Sequence, residues 1–191
     1  MNKTFFSVAV YGMLQYYGVI SLPDLLVLCN QCGLCELKDY KKLRQCIEGD
    51  LLREQKAFFY KKLVCRQGVL NPKLIWDTQK NMLSEGYKRF ALEEYLIAGE
   101  SDILWDGSTQ KIKKFFQKEE VQNEKQIDNE IIRLWLELNN LAELVPLTTE
   151  CEKRLKVSYM DLLTQLQQLS NSMPRWVCKG YSYAELCKKE I

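Results

Sequence analysis

Three cysteines at a spacing of three, Cys29, Cys32 and Cys35, with Cys46 not far beyond, are the residues whose types and spacing most resemble a chemical site. The spacing is that of three iron–sulfur ligands, with Cys46 able to join by folding. On a helix, however, thiols at i and i+3 share one face, and here that face also carries Leu22, Leu25 and Leu26, which a core needs. The cysteines are therefore read as packing residues, reduced and without metal. Other chemistry is scarcer still. The chain has no histidine, which removes Ser-His and Cys-His pairs and most zinc hydrolase arrangements. No glycine-rich phosphate loop occurs. Glu93-Glu94 and Glu119-Glu120 are adjacent in sequence and so point to different sides of a helix. No catalytic function and no cofactor are expected.

What remains is charge. Residues 1–71 hold ten Lys/Arg against six Asp/Glu, whereas 72–120 hold eight against nine and 121–191 nine against ten. The basic surplus lies in the first third, and within it Lys38, Lys41, Lys42, Arg44 and Gln45 fall on the polar sides of one amphipathic stretch, with Lys61 and Lys62 following. Such a set suits phosphate and base contact, and it equally suits an ordinary solvated face, the more so because Glu36, Asp39, Glu48 and Asp50 dilute it.

The elements that must position these residues can be read in order. MNKTFFSVAVYGMLQYYGV begins like a leader, but Tyr11, Gln15, Tyr16 and Tyr17 interrupt its apolar block, and Phe6, Val10, Met13 and Tyr17 sit at helical spacing. It is read as a first helix and the protein as cytoplasmic; no run of about 18 apolar residues occurs to span a membrane. Ser21 caps a second helix, with Pro23 in its first turn and Gly33 as its stop. A third, about 37–51, places Leu37, Tyr40, Leu43, Ile47 and Leu51 on one face. AFFYKKLVCRQG then reads as a β-hairpin, although Lys61-Lys62 is poor turn chemistry and leaves a helix continued over 51–63 as the alternative. Helix, helix, hairpin is the order of a winged helix, expected over 1–71.

Residues 72–191 read as a helical domain. Asn71-Pro72 starts a helix running towards Gly86, RFALEEYLIAGES forms another, and Asp106 caps a basic one. QKEEVQNEK is a polar link or solvated turn. Ile127, Ile131, Leu134, Leu138, Leu141 and Val145 form one narrow apolar seam and Leu155, Tyr159, Leu162, Leu166 and Leu169 a second. With a break at Pro146 and a capping box at Thr149 and Glu152, the two predict an antiparallel helix hairpin over 122–170. The fold class is thus mainly α: a winged helix followed by a helical bundle containing that hairpin and a C-terminal tail.

The tail NSMPRWVCKGYSYAEL resembles a segment N-N-T-P-R-W-x-x-x-G-H-T-P-N-E-L of uncharacterised Firmicutes proteins that often carry an SEC-C metal-binding motif. Asn171, Pro174, Arg175, Trp176, Gly180, Glu185 and Leu186 match it; Tyr181, Ser182, Tyr183 and Ala184 depart from its H-T-P-N. YGVISLPDLLVL is similar to the opening L-Y-G-V-V-S-L-x-x-L-Y of the same proteins. The SEC-C motif itself is absent, and with it the zinc site that the resemblance would imply. The sequence thus predicts either a DNA-binding regulatory module, whose helical domain dimerises or senses a partner, or a non-catalytic adaptor that binds protein through the same scaffold.

Overall fold

The computed structural model describes residues 4–82, 86–119 and 123–189, a mainly helical chain with one small antiparallel sheet. It divides into two compact units, one of 1–104 with 176–180 and one of 105–175 with 181–191.

In the first unit Thr4 caps α1, Phe5–Tyr17, by accepting from the Ser7 N–H at 3.2 Å. Gly18, at φ 64°, turns the chain into β1, Val19–Ser21. Ser21 Oγ accepts from the Asp24 N–H and caps α2, Leu22–Gln31, while the Ser21 hydroxyl donates to the Asp24 carboxylate at 2.5 Å. Gly33 at φ 75° ends the turn after α2. α3 is short, Tyr40–Cys46, and runs into a π turn, Ile47–Leu51, closed by the Leu52 N–H on the Ile47 carbonyl.

Two details differ from the sequence reading. Residues 37–39 form a turn, so Leu37 and Tyr40 are 57% and 41% exposed, and only Leu43, Ile47 and Leu51 of the expected face are buried. The helical spacing continues one turn further towards the N-terminus than the helix itself does. The continued helix over 51–63 does not form either: Gln55 takes φ 55°, and β2, Ala57–Tyr60, pairs with β3, Leu63–Arg66. Tyr60 faces Leu63 across a two-residue loop in which Lys61 adopts φ 56°. A left-handed lysine costs about 1 kcal/mol, less than the burial of Ala57, Leu63, Val64 and Cys65 returns. β3 is the central strand, in the order β1-β3-β2.

Residues 72–104 belong to the same unit. Asn71 caps α4, Pro72–Asn81, by accepting from the Leu74 N–H at 3.0 Å. α5, Leu92–Gly99, lies against α1 at two glycines: a Cβ on Gly12 would stand 1.8 Å from the Tyr95 carbonyl oxygen, and one on Gly99 1.9 Å from that of Val8. The 3₁₀ turn Trp176–Cys178 completes the core. Trp176 is fully buried and donates to the Gln15 carbonyl at 2.9 Å; its own carbonyl and that of Tyr17 accept from the Gln79 amide at 2.7 and 2.9 Å. Arg66, also buried, donates to Gln15 Oε1 at 2.6 Å and lies 5.8 Å from the Trp176 ring.

The second unit consists of helices α6, Gly107–Lys118; α7, Glu124–Asn139; α8, Leu144–Leu155; α9, Tyr159–Ser172; and α10, Tyr183–Lys189. Asp106 caps α6 through the Ser108 and Thr109 N–H groups, as its place before Gly107 predicts. The two-helix hairpin over 122–170 is replaced by three helices. α8 starts at Leu144 and takes Pro146 into its first turn, where no backbone N–H is needed. Thr149, the expected cap, instead donates to the Val145 carbonyl. The second seam breaks at Lys156, left-handed at φ 57°, because the turn buries Val157, which a continuous helix would leave on the outer face. The first seam ends at Leu138; Leu141 is half-buried and Val145 exposed. α9 packs on α8 and α6, and α6 on α7.

One ion cluster ties α7 to α8. Glu130, 5% exposed, accepts from Arg133 at 3.1 Å and from both terminal nitrogens of Arg154, and the Cys151 thiol donates to it at 3.6 Å. Burial acts to raise the Glu130 pKa, but the bonds from Arg154 and Arg133 outweigh it and hold the carboxyl below its ordinary 4.5. A folded-state pKa below the unfolded one means that this stabilisation is complete above pH 4.5 and fades as pH falls through the folded value. Arg154 is 41% exposed, so the cost of removing the charge lies between that of a surface pair and that of a buried one. Glu130→Gln is therefore expected to lower unfolding free energy by about 1–2 kcal/mol at pH 7. In urea melts its difference from wild type should narrow steadily below pH 4.5; a constant difference down to pH 2.5 would refute the assignment.

Candidate nucleic-acid interface

The basic residues picked out by sequence all lie in the first unit and all reach solvent. Lys41, Lys42, Arg44 and Gln45 occupy the outer side of α3, whose inner side buries Leu43 and Cys46. Lys38 lies in the preceding turn. Lys61 and Lys62 form the hairpin tip, and β2 packs on the π turn that follows α3. The hairpin and α3 are thus joined through that turn.

Their electrostatics are uneven. Arg44 Nε donates to Glu48 Oε1 at 2.8 Å and Lys38 pairs with Glu36 at 2.7 Å. Lys42 stands 4.8 Å from the Phe6 ring centre and Lys61 5.5 Å from that of Tyr60. These pairs are exposed, where an ion pair is worth about 0–1 kcal/mol, so a phosphate could exchange for the carboxylate at little cost. Leu37 and Tyr40 give the same region an apolar element.

Sequence reasoning missed two further lysines. Lys73 and Lys80 of α4 face the hairpin tip across a groove and both pair with Asp77, at 2.6 and 3.2 Å. Their i and i+7 spacing marked one helix face, but nothing local showed that the hairpin lies opposite.

The thiols are close enough to influence one another's ionisation. Cys29 is fully buried; burial first, then the neighbouring Cys35, Cys32 and Cys46, push its pKa well up. Burial likewise raises Cys46 to about 12 and raises Cys32 and Cys35. Protonated thiols are poor nucleophiles and poor ligands. Among the described residues no group of three or more His, Cys, Asp or Glu is arranged to hold a metal ion, and no helix is long and apolar enough to cross a membrane.

The tail residues divide between the units. Asn171 is exposed at the end of α9 and Pro174 half-buried. Arg175, 3% exposed, donates to the Leu138 carbonyl at the end of α7 and to Ser170 Oγ at 3.2 Å, with its guanidinium 5.0 Å from the Tyr183 ring. Trp176 closes the core of the first unit, and Gly180, at φ 88°, lies beneath Tyr17 and Phe90, where a Cβ would come within 3.0 Å of the Tyr17 ring. Arg175 and Trp176 are both buried, serving core and cap. The chain shows no significant match to a protein-family model, a curated protein or a solved structure.

Proposed function

We propose that the first unit is a winged helix that binds duplex DNA, and that the chain is a non-catalytic regulatory module whose helical unit serves dimerisation or partner sensing. One observation carries the reading: the order α1, β1, α2, α3, β2, β3, with the sheet order β1-β3-β2, leaves the cationic side of α3 and the Lys61-Lys62 tip in solvent. In that arrangement α3 is the recognition helix and the hairpin the wing. The tail resembles that of SEC-C-associated Firmicutes proteins, without their zinc motif.

The second reading, an adaptor on the same scaffold, is favoured by the exposed Leu37 and Tyr40 and by the carboxylates paired with Lys38 and Arg44. Fluorescence anisotropy with a labelled random duplex, repeated across a salt series, separates the two. Binding should weaken steeply with salt, and replacing Lys41, Lys42 and Lys61 with Ala should lower the slope of log affinity against log salt by about 0.9 for each phosphate left without its lysine. Arg44→Ala, if the side chain reaches a guanine edge, should relax sequence preference at a cost of about 1–3 kcal/mol at one base pair. No duplex binding at low salt would end the DNA reading and leave the adaptor.

A further inference from the structure

Between the start of α2, the hairpin tip and α4 lies a groove of about 560 Å³, of whose lining the DNA reading uses only Lys61 and Lys62. Its floor is apolar: Pro23, Tyr60, Leu63 and Trp76. Its rim is cationic, with Lys61 and Lys62 on one side and Lys73 and Lys80 on the other, against the single carboxylate of Asp77. Asp77 bridges Lys73 and Lys80, and the exposed tip lysines complete a rim with a clear positive surplus.

The volume falls in the range of small-molecule sites, which typically combine apolar walls with a few placed polar groups. Trp76 and Tyr60 offer amphipathic rings that need little ordering. An apolar surface edged by ammonium groups is complementary to one kind of molecule: an apolar body ending in an anion. We propose that this groove binds an anionic amphiphile of small size, an aliphatic or aromatic carboxylate, with its body on Trp76 and Leu63 and its carboxylate at Lys61 and Lys62. The site stands independently of DNA binding, although it shares the two tip lysines with the wing, so an occupied groove would withdraw them from phosphate.

Decanoate, titrated below its micellar concentration into the ¹⁵N-labelled full chain, tests the site against decylammonium, which has the same tail and the opposite charge. Saturable amide shifts are expected at 21–24, 60–63 and 73–80, with decylammonium at least about tenfold weaker, because like charges across an interface are strongly disfavoured. Lys61→Glu with Lys62→Glu, both exposed and therefore compatible with folding, should abolish or reverse that preference. Equal affinity for the two amphiphiles, shifts centred elsewhere, or no saturation would each overturn the proposal. So would a duplex that shifts these residues when decanoate does not, since the groove would then serve the phosphate backbone.

Discussion

Gly12→Ala is expected to lower the unfolding free energy by about 3 kcal/mol, the upper part of the range for overpacking a core. One added methyl does this because the atom it meets, the Tyr95 carbonyl oxygen 1.8 Å away, is backbone of α5 and cannot swing aside as a side chain would. α5 must shift bodily. That shift disturbs the aromatic group of Tyr16, Tyr17, Phe90 and Tyr95, in which the Tyr17 hydroxyl also donates to the Lys88 carbonyl at 2.7 Å. The helix propensity gained by exchanging glycine for alanine, at most about 1 kcal/mol, does not offset it. Gly99→Ala should behave alike, with its Cβ 1.9 Å from the Val8 carbonyl. Gly49, with nothing within 4 Å of its would-be Cβ, is the control: Gly49→Ala should be neutral or slightly stabilising. Urea denaturation followed by circular dichroism reads all three. A Gly12→Ala variant within about 1 kcal/mol of wild type, the size of an ordinary substitution, would show that α1 and α5 do not approach at these glycines.

Trp176→Ala is expected to cost about 3–5 kcal/mol, as for other large aromatic truncations in cores. The indole leaves a void beside Gly18 and Arg66 and strips the Gln15 carbonyl of its donor. Trp176→Phe restores most of the volume but not the N–H, so it should recover all but about 1–2 kcal/mol. Equal losses in the two variants would place the whole effect in the hydrogen bond, and no loss in either would remove Trp176 from the core.

What could be read from the sequence was local. Ser21, Asn71 and Asp106 cap helices where their spacing predicts, and the hairpin forms at AFFYKKLVCR in spite of its lysine turn. The exposure of Lys41, Lys42, Arg44 and Gln45 follows from their alternation with Leu43 and Cys46. Periodicity misleads where no terminator interrupts it: through Leu37 and Tyr40, which precede the helix or lie on its exposed side, and through Leu155 and Tyr159, which belong to different helices. In both cases a turn of a few residues, set by what it buries, outweighs a regular stripe. Contacts distant in sequence left no local trace. Nothing near Gly12 announces Gly99, and nothing near Trp76 announces Lys61 and Lys62.

The place of Trp176–Gly180 in the first unit has a consequence for the chain as it is made. Residues 1–104 leave the ribosome well before the indole that fills their core, so the unit spends that interval with a Trp-sized hole and with the Gln79 amide and Gln15 carbonyl lacking their partners at Trp176. Domains generally fold as they emerge, amino-terminal part first. Here the amino-terminal unit waits for residue 180, by which point 105–175 has already emerged, so the two units reach completion almost together, the second only with 181–191.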